Sequence, residues 1–222
     1  IHLRELRANL KATIIWSASA FFLVLVGMTK YSAGTGISAG SFNEMIELLP
    51  KSLQNIFGIG VFDLSVSIEY YAILFLYIAL VATLHAVFLG NGIIAKEERD
   101  KTVEFLMVKP VSRPKMLTPK LLASLTILIV FNLVIFASSA MMLSRYPEYS
   151  YIDGLSKLML ALFGLQLLFC AVGAFSAGLM KNTKLSASAS SGVLLTMFML
   201  SIIADISEKA DFLKYFSFFE FF

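Results

Sequence analysis

The sequence predicts an all-α integral membrane protein, a polytopic helical bundle, and three observations lead there. Of the 222 residues, 58% are apolar and only 15% charged, where soluble domains carry about a quarter charged residues. The apolar residues gather in runs, several of them near the length of about 20 that a helix needs to cross hydrocarbon. The cations between the runs are unevenly shared: twelve of the eighteen Lys and Arg fall in residues 1–11, 96–120 and 181–184. Such an excess marks the loops held on the cytosolic side, so the N-terminus is expected in the cytosol.

Residues 1–11, IHLRELRANLK, set Leu3, Leu6 and Leu10 on one helical face and Arg4, Arg7 and Lys11 elsewhere, the pattern of an N-terminal helix lying in the membrane interface. The first span follows over 12–29, with Trp16 near its start as a headgroup-level anchor. A Gly/Ser-rich connector then leads to Ser41 and Glu44, a capping box, and to Phe42, Met45, Ile46 and Leu49 at helical spacing. These predict a short outer amphipathic helix over 41–60, split or kinked at Pro50.

Further spans are expected over 70–95, 116–143, 158–180 and 185–204, which makes five. Pro119 falls in the first turn of the third span as drawn, where it is tolerated. The tail has six Phe among its last eleven residues and reads as an aromatic interfacial segment. Five spans that begin inside end outside, so a sixth is expected beyond Phe222; position 1 is Ile, so residues before it are also expected.

Composition excludes several classes. A net charge of +3 is too small to point to nucleic acid. Cys170 is the one cysteine, so there is no intrachain disulfide framework. No cluster of Cys, His and carboxylates has metal-ligand spacing. Gly36-Ile37-Ser38-Ala39-Gly40 fits the GxSxG nucleophile pattern, but it lies in a connector rather than a strand-to-helix elbow, and the two His residues, His2 and His85, are assigned elsewhere. No catalytic residue is assigned.

The segment 96–115 is the densest run of charge, with Glu97, Glu98, Asp100 and Glu104 among its cations. Thr102 can cap a short helix that places Val103, Leu106 and Met107 on one face, and Pro110 ends it. So short and charged a loop cannot bury those three residues itself, which fits insertion into a partner's groove. The bland alternative is a positive-inside loop that only sets topology.

The run Glu97-Glu98-Arg99-Asp100-Lys101-Thr102-Val103-Glu104-Phe105-Leu106, then Lys109-Pro110-Val111-Ser112-Arg113 and Lys120, resembles the signature of permease subunits of ABC-2 type transporters. Lys101 stands where that pattern usually has Gly. The resemblance implies that 96–115 is a cytosolic coupling helix docking on a separate ABC ATPase subunit, with two permease copies, as homodimer or heterodimer, and two ATPases in the inner membrane. By position, Val103, Leu106 and Met107 become the docking face, and Glu97, Glu98 and Arg113 polar contacts. The chain has no GxxxxGK[ST] phosphate loop, so it carries no cofactor, and ATP and Mg are expected on the partner.

Polar residues inside the spans are the remaining candidates. His85, Asn91, Asn132, Gln166 and Cys170 lie in apolar runs, where polar groups face the bundle interior or a pathway; the plainer reading is helix–helix hydrogen bonding. His85, Asn132 and Gln166 are the pathway candidates. Gly173, Ala174, Ala177 and Gly178, with the SASASSG run at 186–192, allow close helix approach. Few charges in the spans favour an amphipathic or hydrophobic cargo (peptide antibiotic, drug or lipid) moved outward. Sodium export, or a role in metal-cofactor maturation, is the alternative within the same resemblance, and an intramembrane enzyme using His85 or Ser38 is the competing class.

Overall fold

The computed structural model describes residues 2–36, 67–99, 113–146, 151–180 and 182–206, all of them helical apart from short connections. Among the described residues there are five helices: α1 (His2–Gly36), α2 (Ser67–Arg99), α3 (Arg113–Leu143), α4 (Tyr151–Leu179) and α5 (Thr183–Ile206). The expected outer helix, residues 100–112 of the charged segment and the aromatic tail lie outside the described residues.

The helices outrun the apolar runs that announced them. The interfacial helix and first span form one helix, since neither Gly nor Pro interrupts residues 2–26. Helix α4 begins at Tyr151 rather than near Leu158, with Asp153 in its first turn beside the helix's positive end and Lys157 bonded back to it at 2.8 Å. Helix α3 begins at Arg113 rather than at Met116, which moves Pro119 out of the first turn and into the helix interior. There it deprives a carbonyl of its intrahelical donor. A helix bonds its backbone internally, so it can continue past the point where apolar side chains stop.

Among the described residues, four helices are long and apolar enough to cross a membrane: His2–Tyr31, Ser67–Ala95, Leu117–Leu143 and Tyr151–Leu179. The expected fifth, at 185–204, is present as α5, whose Ser and Ala lie mainly in its first half and whose large apolar residues lie mainly in its second. Large apolar side chains face outward on the four, among them Phe22 at 60% exposure, Leu133 at 60%, Leu160 at 75% and Phe175 at 68%. Water would not tolerate an apolar surface on that scale; hydrocarbon makes it the natural exterior.

The chain divides into two compact units. One comprises Ile1–Ala18, Val81–Leu133 and Leu162–Leu195; the other comprises Ser19–Leu80, Val134–Ala161 and Thr196–Phe222. The second unit is held by Tyr71, fully buried with its hydroxyl 2.6 Å from that of Ser139, and by Tyr70, which donates to the Gly27 carbonyl at 3.1 Å. The Tyr31 ring packs on Tyr70 at 5.1 Å and edge-on against Tyr146 at 4.9 Å. The first unit is built on Phe131, Phe169, Leu128, Leu162 and Leu194, all fully buried.

In that first unit, α1 packs against two other helices. His2 Nε2 lies 3.3 Å from the Thr126 hydroxyl, while Trp16 meets His85, which in turn meets Phe131. The start of α1 thus touches α3 at His2 and α2 at Trp16.

Candidate functional site

The first unit brings the polar residues of four helices together, and the tightest contact comes from two glycines. A Cβ added to Gly90 of α2 would lie 2.0 Å from the Cys170 carbonyl oxygen, and one added to Gly173 of α4 would lie 2.3 Å from the Val87 carbonyl oxygen. Each glycine faces the other helix's backbone, so α2 and α4 approach more closely than any side chain would permit.

One turn of α2 carries three fastenings. Beside the glycine crossing, the Asn91 amide donates to the hydroxyl of Ser186 on α5, both residues being buried. The ammonium of Lys120 on α3, also buried, donates to the Ile93 carbonyl at 3.0 Å. Residues 90–93 thus touch α4, α5 and α3 just before α2 enters the charged segment. A lysine taken out of water is costly unless paired; here it finds a backbone acceptor and serves as a tie rather than a free charge.

Further along, His85 is 3% exposed between two rings, Phe131 at 4.5 Å and Trp16 at 5.6 Å. Trp16, expected as a headgroup anchor, packs its ring on His85 and on Phe88 at 6.3 Å. Next to Phe131, the Asn132 amide donates to Gln166 Oε1 at 3.2 Å across α3 and α4. Among the described residues, two buried side-chain polar atoms have no hydrogen-bond partner, His85 Nδ1 and Gln166 Nε2. Leaving such an atom unmatched costs about 1–3 kcal/mol, so both atoms can take a further hydrogen bond.

Of the residues drawn from the signature, Glu97 and Glu98 stand in the last turn of α2 and Arg113 opens α3. Thr102, Val103, Glu104, Leu106, Met107 and Pro110 lie outside the described residues. Ser186 and Gly90 gave no functional hint of their own in the sequence; the signal was the Gly-Asn-Gly triplet at 90–92 inside an apolar run. Cys170 is a buried free thiol. Among the described residues, no group of His, Cys, Asp and Glu could hold a metal ion.

The family model described as ABC-2 family transporter protein matches residues 1–219. No curated protein and no solved structure matches the chain. With the match running over nearly all of a helical chain rich in membrane-length apolar helices, the protein belongs to the ABC-2 family of transporters, as a membrane-spanning permease subunit.

Proposed function

We propose that this chain is the membrane half of an ATP-driven exporter in the cell inner membrane. Two copies would work with two cytosolic ABC ATPase subunits, which bind ATP and Mg, and the N-terminus would be cytosolic. The reading rests on the fastening of residues 90–93 to α3, α4 and α5. Closure of an ATPase dimer pushes on 96–115, with Val103, Leu106 and Met107 as the docking face, Thr102 and Pro110 as its helix limits, and Glu97, Glu98, Glu104 and Arg113 as polar contacts. A push there enters a turn of α2 already tied to three other helices, and so moves them together.

The cargo that fits is amphipathic or hydrophobic, carried outward past His85, Asn132 and Gln166, where His85 Nδ1 and Gln166 Nε2 can receive its polar part. Sodium export and metal-cofactor maturation are the alternatives for cargo. The decisive experiment purifies the protein from its native membrane in mild detergent and repeats the purification with Leu106→Asp. An ABC ATPase that accompanies the unmodified protein and is lost with the variant supports the reading; its absence from the unmodified protein in several detergents would overturn it. An enzymatic role at His85 predicts that His85→Ala costs orders of magnitude in activity, whereas a packing or pathway role leaves ATPase binding intact.

A further inference from the structure

A groove runs between α3 and α4 on the first unit, lined by Leu121, Leu125 and Leu128 on one side and Leu167, Ala171 and Ala174 on the other, with a volume of about 340 Å³. That is many times the ~30 Å³ a water occupies, and the lining offers water little to bond. The Ser124 hydroxyl at its floor already donates to the Lys120 carbonyl at 3.2 Å. Leu121 and Leu167 are 46% and 39% exposed, so the groove opens sideways, on two helices that are both long and apolar enough to span a bilayer. What meets it there is hydrocarbon.

The ends of the groove differ. Asn132 meets Gln166, and from that level the lining descends through Leu128 to Thr118 on α3 while it climbs from Leu167 to Ala174 on α4. Its far end therefore points to the start of α3 and the end of α4. Arg113 and Lys115 occupy the first turn of α3, and Lys184, exposed, the first turn of α5. No acidic residue occurs between Glu104 and Glu148 or between Asp153 and Asp205, so neither side of the groove supplies a counter-charge. Glu97 and Glu98 belong to α2, which does not line it.

We propose that this groove is a binding site for an anionic phospholipid of the surrounding bilayer, with one acyl chain between α3 and α4 and the phosphate at the basic first turns of α3 and α5. Basic residues at the mouth of a crevice between spans select anionic headgroups, and the apolar lining accepts the chain. The site goes beyond the transport reading and does not depend on the ATPase.

Native mass spectrometry of the delipidated full chain, titrated with dioleoyl-phosphatidylglycerol or dioleoyl-phosphatidylcholine, tests it. The phosphatidylglycerol adduct is expected at least tenfold tighter. Lys115→Gln with Lys184→Gln should bring it down to the level of phosphatidylcholine, and Ala171→Phe, at an exposed position that leaves the fold alone, should remove both adducts. Equal affinity for the two lipids, or full binding by the Ala171→Phe protein, overturns the proposal. A phosphatidylglycerol with a photoreactive group at mid-chain gives an independent reading. It should mark 121–128 and 167–174; labelling spread evenly over the other exposed helix faces would sink the site.

Discussion

A methyl group at Gly173 would stand 2.3 Å from the Val87 carbonyl oxygen, and one at Gly90 would stand 2.0 Å from that of Cys170. Backbone atoms cannot swing aside as a side chain can, so either change must part α2 from α4. Gly173→Ala and Gly90→Ala should each cost about 1–3 kcal/mol through overpacking, against a helix-propensity gain of about 1 kcal/mol. Gly164→Ala and Gly178→Ala meet nothing within 4 Å and should keep that gain. Thermal midpoints in detergent separate the two pairs; equal shifts for all four would mean that the crossing is looser than described. A second residue-level test concerns Asn132 and Gln166. A double-mutant cycle with Leu at each should return a coupling near 0.6 kcal/mol, the average for hydrogen bonds between spans.

At the level of elements, the end of α2 is the place where a small change should be felt locally. Lys120→Met removes a charge-assisted hydrogen bond of about 1.5–3 kcal/mol while keeping most of the buried stem. Amide exchange should quicken in residues 93–99 and in the first turns of α3, with the second unit unaffected; uniform quickening would mean that the tie is not local. Helices were legible in the sequence because hydrocarbon demands about 20 apolar residues per crossing, and no other arrangement of these runs meets that demand. Their ends were not, because Tyr151 and Arg113 continue helices by backbone bonding that leaves no trace in hydropathy. His85, Asn91 and Gln166 stood out as polar residues among apolar ones. Their partners did not: Trp16 read as a headgroup anchor and Ser186 as one small residue in SASASSG, since the face a helix shows its neighbour depends on packing between distant segments.

For the whole molecule, the Lys and Arg asymmetry predicts orientation. Cys170 is buried, so a cysteine introduced elsewhere can be labelled alone. In intact cells an impermeant maleimide should reach Lys157→Cys and miss Lys184→Cys, and the second should react only once the membrane is opened. The reverse pattern would invert the topology and remove the charged segment from the cytosol, and with it the ATPase reading. Ahead of α5, the Asn182 side chain accepts from the Lys184 and Leu185 amides at 3.0 and 3.3 Å and starts the helix. So early a cap, three residues after α4 ends at Leu179 and ahead of a helix whose first half is mostly Ser and Ala, bears on biosynthesis. Emerging from the ribosome by itself, α5 presents the translocon with large apolar residues mainly in its second half, from Val193 to Ile203. It should enter only as a hairpin with α4, so that a reporter fused after α5 remains in the aqueous phase when α4 is deleted and becomes integrated when α4 precedes it.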